Sequence, residues 1–318
     1  VLFTSKNLEG YLTPFFTTLS QSLNNALYGT SNLDGKFRVA LNIALSSMLI
    51  PDDQKWFDTE VPVGFYDSSV SLTAQYRNGS IVNSVVTPNK QPTIYGGSST
   101  PIFAAPQNHF APDSFNKTIA YPEGLHLDVM VGLPIVQLLL ETPFDNEVRF
   151  RFFTFPVQGE SFVFIGFALN QRIDEYLNLF GFDKRKNLNV HLSYQTMYRG
   201  SSFSFTTYSL GVNAVNEFSN KILGYIGFQY ENAFGKFMAL KDTVGMNEDI
   251  VNSPFLELRQ AKPIEIALKS FTKFQVRGGF TYTFSFGFLN FDVSFASQPM
   301  LSLGLGIFFQ KRVVADER

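Results

Sequence analysis

The clearest regularity along this chain is an alternation of apolar and polar positions with a period of two. Between Lys36 and Met48, Phe37, Val39, Leu41, Ile43 and Leu45 take one set of positions and Arg38, Ala40, Asn42, Ala44 and Ser46 the other. Successive side chains on a strand point to opposite faces, so this segment reads as a strand with one greasy and one polar face. The pattern is strongest near the C-terminus, where Ile264, Ile266, Leu268, Phe274, Val276, Phe280, Tyr282 and Phe284 alternate with Glu265, Lys269, Lys273, Gln275, Arg277, Thr281 and Thr283. It continues with Leu289, Phe291, Val293 and Phe295 against Asn290, Asp292 and Ser294, then with Leu301 to Phe309 against Ser302, Gly304 and Gly306. Upstream, strands are expected near Leu133–Glu141, Glu147–Phe155, Ser161–Asn170, Leu188–Tyr198, Ser202–Val215 and Ile222–Asn232, with two less clear ones between Ser68 and Thr87. The total is about twelve, with ten to fourteen as the range, and an even count brings the last strand back to the side where the first began.

Two segments have helical spacing instead. Thr13 suits an N-cap and Pro14 a first helical position, and Phe16, Leu19, Leu23 and Leu27 follow at intervals of three and four. No charge lies between Glu9 and Asp34, so residues 1–34 are expected to fold into the lumen as a plug, or to pack as a plain helix across one mouth. A second helix is expected over Arg172–Phe180, followed by Lys184, Arg185 and Lys186. Strand parity puts it on the periplasmic side, as a short interfacial helix with a basic trio near lipid headgroups, or as an ordinary solvated charge run. The barrel then occupies 35–310 and a periplasmic tail 311–318. Pro88–Pro122 and Phe234–Pro263 lack periodicity and fall on the extracellular side by parity.

Composition decides what these strands are for. The most apolar run, Val129–Leu140, is too short for a transmembrane helix and contains Pro134 and Gln137. Only 16% of residues are charged and 36 are Phe, an unusual mixture for a freely dissolved protein. A soluble sandwich also alternates, but its polar face is typically rich in Lys and Glu; here that face is Gly, Ser, Thr and Asn with scattered charges, as a wet lumen requires. Phe152, Phe153 and Phe155, Tyr194 and Tyr198, and Phe308 and Phe309 cluster near strand ends, as interfacial girdles do. The expected fold class is therefore all-β, a transmembrane antiparallel β-barrel in a bacterial outer membrane. The start at Val1 reads as a chain freed of its secretion signal. The bilayer and lipopolysaccharide are the expected surroundings. With 25 basic against 27 acidic residues, no nucleic-acid footprint exists.

Candidate chemistry is sparse. Cysteine is absent and the only histidines are His109, His126 and His191; no phosphate-binding, dinucleotide-binding or zinc-protease motif occurs, so neither cofactor nor metal is expected. His191 and Ser193 share one face of a strand, a spacing an outer-membrane phospholipase uses, but alternation turns both to the lumen, away from lipid, and the protein is not expected to be an enzyme. His126 and Asp128 are expected to form a hydrogen-bonded pair. The lumen charges say more: Arg38, Arg149, Arg151, Glu265, Lys269, Lys273, Arg277 and Asp292 either pair and close a narrow barrel or leave a basic ring that favours anions.

Several segments resemble a known family: Ile50-Pro-Asp-Asp-Gln-Lys-Trp-Phe57, Pro92-Thr-Ile-Tyr-Gly96, Glu147-Val-Arg-Phe-Arg-Phe152, and Ile165 to Leu177 running on to Asn187–Tyr194. The family is an uncharacterised group of outer-membrane β-barrels from Bacteroidota and related bacteria, itself distantly similar to the FadL-like fatty-acid-transporter barrels. The resemblance, from Tyr11 to Phe309, implies an N-terminal hatch and passage of a small, hydrophobic solute, and it assigns no ligand residue. The alternative is a structural or accessory subunit with a closed lumen that docks with other outer-membrane or periplasmic proteins.

Overall fold

The computed structural model describes residues 5–27, 37–59, 72–77, 80–85, 90–97, 102–104, 118–120, 123–157, 159–177, 185–239 and 264–309. Ten strands form the barrel wall. They are β1 (Arg38–Leu49), β2 (Ile135–Thr142), β3 (Asn146–Val157), β4 (Glu160–Arg172), β5 (Lys186–Arg199), β6 (Phe203–Ser219), β7 (Ile222–Ala239), β8 (Phe274–Phe284), β9 (Gly287–Phe295) and β10 (Met300–Phe308). Each pairs antiparallel with its sequence neighbour, and β10 closes on β1 in a register that sets Asn42 opposite Gly306 and Leu45 opposite Leu303. Closure turns the ten strands into one continuous ring, which is what a lipid-facing sheet needs.

The expected twelve strands become ten because the two strands described between Ser68 and Thr87 do not join the wall. Its strands, Leu72–Arg77 and Ser80–Val85, pair only with each other, and six residues are too few to span a bilayer as a strand. The stretch 264–284 splits in two: Ile264–Lys269 pairs with the distal half of β7, and β8 with its proximal half. The break gives its polar groups to the N-terminal helix, since Phe271 N donates to Thr17 Oγ1 and Gln21 Nε2 to Thr272 Oγ1.

Strand termini sort the connections into two ends. The turns 143–145, 220–221 and 285–286 and the connection from β4 to β5 lie at one end together with the start of β1 and the end of β10; at the other lie the turns 200–202 and 296–299, the end of β1, the start of β2 and the end of β7. The wall is uneven, with β5 to β7 the longest strands and β2 the shortest. Alternation holds throughout. Ile43, Ile165, Leu192, Phe280, Leu301, Leu303 and Leu305 face outward and are exposed, while Asn42, Ser46, Gln195, Ser209 and Ser302 point inward and are buried.

Two sequence expectations need correction. Phe153 and Phe155 are not girdle residues; only Phe152 faces out, and the other two point inward against the plug, because adjacent aromatics on a strand cannot share a face. The expected helix over Arg172–Phe180 is a turn at 174–177 among the described residues, and Asn178 to Lys184 lie outside them. Asp174 is pinned by Arg172 (2.8 Å) and accepts a hydrogen bond from Leu188 N (3.0 Å), so it holds the chain reversal instead of forming a helix's polar face. Residues 311–318 also lie outside the described part.

Candidate functional site in the plugged lumen

A single helix, α1 (Ser5–Leu23), occupies the lumen. It begins about two turns before the expected cap at Thr13 and carries Pro14 in its interior. Proline removes one intrahelical hydrogen bond, and carbonyls beside the break take donors from outside the helix: Gln298 Nε2 donates to that of Pro14 (3.1 Å) and Ile94 N to that of Tyr11 (3.0 Å). The plug residues expected from sequence, Phe16, Leu19, Leu23 and Leu27, are all buried, but so are Asn7, Thr17, Ser20, Gln21, Asn24 and Asn25. From Phe16 to Leu27 the segment is therefore enclosed on every side, while Lys6 near its start is exposed.

Its N-terminal half lies in an aromatic sleeve at the end with the long connections. Phe16 stacks on Phe203 (centroids 6.0 Å) and tilts against Phe205 (5.5 Å), and Phe153, Phe155, Phe162, Phe164 and Met197 complete the lining. Above it, segments 50–59, 90–97 and 123–131 form a lid. Tyr95, fully buried, donates its hydroxyl to Thr18 Oγ1 (2.8 Å), and Tyr11 donates to the Glu123 carbonyl (2.9 Å). Gln298 Nε2 also reaches Gln54 Oε1 (2.8 Å), tying the β9–β10 connection to the lid. At the lid's edge Lys55 pairs with Asp52 (2.8 Å) and with Asp128, so Asp128 is partnered by lysine where His126 was expected. That lysine holds the Asp128 carboxyl below its ordinary range, and both carboxylates raise Lys55.

The C-terminal end of the helix meets charge instead. Four successive carbonyls from Leu23 to Ala26 have no helical continuation to satisfy them, and three guanidinium groups on the wall take them up. Arg151 donates to Leu23 O (2.5 Å), Asn25 O (2.6 Å) and Ala26 O (3.2 Å), and also to Gln137 Oε1 (2.9 Å) and Gln195 Oε1 (3.0 Å). Arg149 donates to the Ala26 carbonyl and Arg277 to Asn24 O (3.3 Å). Cations at a helix C-terminus also oppose the negative end of its dipole. Asn24 completes the join, donating to Thr207 Oγ1 (2.7 Å) and Glu231 Oε2 (3.0 Å), while its Oδ1 accepts from Gln195 Nε2 (3.0 Å). Gly166 makes room for the Arg151 stem: a β-carbon there would lie 3.1 Å from Arg151 Cβ.

Of the lumen charges expected from sequence, Arg149, Arg151, Arg277 and Asp292 are buried inside the barrel. Arg38 sits at the mouth with the short turns, paired to Glu141 (2.7 Å). Lys273 lies just before β8 and is exposed. The side chains of Glu265 and Lys269 lie outside the described residues, although their backbones pair with Met238 and Phe234. Asp292 belongs to a tight group with Tyr225 around Gly279, where a β-carbon would fall 2.6 Å from the Tyr225 hydroxyl. His191 and Ser193 do face the lumen; each lies near Ser209 Oγ, at 3.5 and 2.6 Å.

Sequence reasoning missed the acidic and amide half of the network. Glu147 bonds Arg149 Nε (2.5 Å), Glu231 receives Gln275 Nε2 (2.9 Å), and Gln137 and Gln195 hold Arg151. Each is a polar residue at an inward position of a strand, so parity was the signal. Among the described residues no group of three or more His, Asp or Glu is gathered to hold a metal, and no helix is long and apolar enough to cross a membrane.

A family model described as a family of unknown function (DUF6588) matches residues 4–309. No curated protein matches the chain. Among solved structures, a loop L8 deletion mutant of OmpT, an outer membrane protein of Vibrio cholerae, is 10% identical, with 86% of this chain and 99% of that chain covered and a TM-score of 0.26.

Proposed function

The chain belongs to the DUF6588 family, and from that premise and the geometry above we propose that it is an outer-membrane β-barrel whose lumen passes small solutes and is held shut at rest by its N-terminal helix. An outward apolar band, a polar interior and a mouth that gathers the start of β1 and the end of β10 with three two- or three-residue turns fit a barrel inserted with that mouth toward the periplasm. The observation that carries the reading is the chemistry of the contact between plug and wall. Beside Asn24 to Leu27 it consists of hydrogen bonds to arginine, glutamate, glutamine, asparagine and serine. A barrel meant only to be solid is filled at least as stably by apolar side chains, since buried charges forfeit their hydration. A polar wall behind a separate segment stays serviceable when water replaces that segment.

The aromatic sleeve followed by guanidinium groups suits a small solute with an apolar part, in keeping with the cargo expected from the FadL-like resemblance. No reaction is read into His191 and Ser193. The competing reading, a permanently closed subunit that docks with envelope partners, draws on the lid, which clamps the helix through Ile94 and Tyr95.

A lock separates the two. Ser22 Oγ and Ser46 Oγ lie 3.5 Å apart, one on the plug and one on β1, and the chain contains no cysteine. The double substitution Ser22→Cys, Ser46→Cys should therefore form one disulfide that fixes the plug to the wall. In proteoliposomes, solute entry is expected in the reduced protein and not in the oxidised one. Entry in neither state favours the closed subunit.

A further inference from the structure

The arginines of the closed lumen are not equivalent. Arg149 has Glu147, Arg38 has Glu141 and Arg172 has Asp174 as ionic partners. Arg151, buried at mid-height of β3, has none among the described residues; every group it binds is a neutral oxygen, three of them the terminal carbonyls of the plug and two the amide oxygens of Gln137 and Gln195. The negative end of the helix dipole offsets its charge, together with the more distant field of Glu147. If the helix withdraws, three of the five acceptors go with it and the guanidinium is left facing the lumen with no carboxylate bonded to it, since Glu147, whose charge reaches it, is already bonded to Arg149 and Asn170.

We propose that Arg151 is an anion site of the lumen, masked in the closed state by the plug carbonyls and taken by a small oxyanion when the plug withdraws. The inference rests on the reading of the helix as a movable plug and names the chemistry that competes with it. A guanidinium donates in a planar fork that matches the paired oxygens of a carboxylate or a phosphate better than it matches separate carbonyls. Plug and oxyanion exclude each other, so each weakens the other's hold by the same factor. The approach from the mouth with the short turns is suited to a hydrated anion. Asn170, Asn189 and Asn213 line it from β4, β5 and β6, each more than nine-tenths buried, and their Oδ1 atoms have no hydrogen-bond partner within the described protein, a condition that water satisfies. Glu147 and Glu231 belong to the same region, and each already receives donors, from Arg149 and Asn170 and from Asn24 and Gln275 respectively.

The test uses the full chain with one reporter, Ser20→Cys, a plug position that is fully buried and meets Thr207 in the closed state. Its labelling by a water-soluble maleimide reports plug withdrawal and is compared in sodium chloride, sodium phosphate and sodium acetate at matched ionic strength. Phosphate or acetate is expected to raise the labelling rate about tenfold over chloride, the scale of one charge-assisted hydrogen bond. Phosphate acting as an ordinary structure-stabilising salt would slow labelling instead. An effect of acetate alone assigns the site to carboxylate solutes, and an effect of both to oxyanions in general. With Arg151→Gln added, basal labelling should rise and the anion response vanish, while Lys221→Gln, in an exposed turn, should retain the response. Labelling that ignores the anion overturns the proposal and leaves the plugged passage standing if the disulfide lock still gates entry. Absence of labelling in every salt, with entry also indifferent to the lock, overturns both.

Discussion

Single residues show where local sequence logic reaches and where it stops. Inward parity on a strand assigns Arg149, Arg151, Arg277 and Asp292, all buried, to the inner face, but it is silent on what each one meets. Arg149 and Arg151 are two positions apart on one face, yet one is neutralised by Glu147 and the other by backbone of a distant helix. Tyr95 is a sharper case, a loop residue of ordinary appearance that becomes the keystone of the lid. Burial pushes its hydroxyl from 10.0 up to about 12. Because the folded value is the higher one, the stability contributed by neutral Tyr95 is complete below pH 10 and is lost as pH rises toward 12. Ultraviolet difference titration of the native protein against Tyr95→Phe should show one phenolate appearing near the top of that range. The substitution itself should weaken plug closure by about 0.5–1.5 kcal/mol through loss of the bond to Thr18, and appearance of that phenolate near pH 10 would show that Tyr95 is not buried.

At the scale of elements, the wall strands are self-evident in the chain while the plug is not. A strand of this barrel needs only alternation and length, both of which are local. The helix α1 instead contains Gly10, Pro14 and three Thr whose hydroxyls bond back to carbonyls four residues earlier, as Thr13 does to Glu9 (2.6 Å) and Thr17 to Thr13 (3.1 Å). Such residues weaken a helix in water. Its apolar spacing gave the plug residues, but its true start at Ser5 follows from the sleeve and lid that enclose it. A peptide of residues 1–27 is therefore expected to show little helical circular dichroism in buffer. Strong helicity there would mean the element forms without its barrel.

For the whole molecule, outward and inward faces obey different solvents. Leu303, 63% exposed on β10, belongs to the outward band, whereas its neighbour Ser302 is buried inside. Leu303→Arg should cost about 2–4 kcal/mol in folding into lipid vesicles if it sits near the bilayer midplane; a negligible cost would argue against a membrane-spanning wall. The fold class, the inward position of the polar face and an N-terminal helix were legible in the sequence, because alternation, helical spacing and strand parity are properties of neighbours along the chain. The number of wall strands, the interrupted strand before β8, the turn in place of a second helix and the partners of each buried charge were settled by tertiary structure alone. Those depend on which segments meet across the barrel: a hairpin of two six-residue strands is excluded because it cannot reach across, Asp174 serves a turn because Arg172 and Leu188 N converge on it, and Arg151 is held by a helix that lies more than a hundred residues away in the chain and within 3 Å in space.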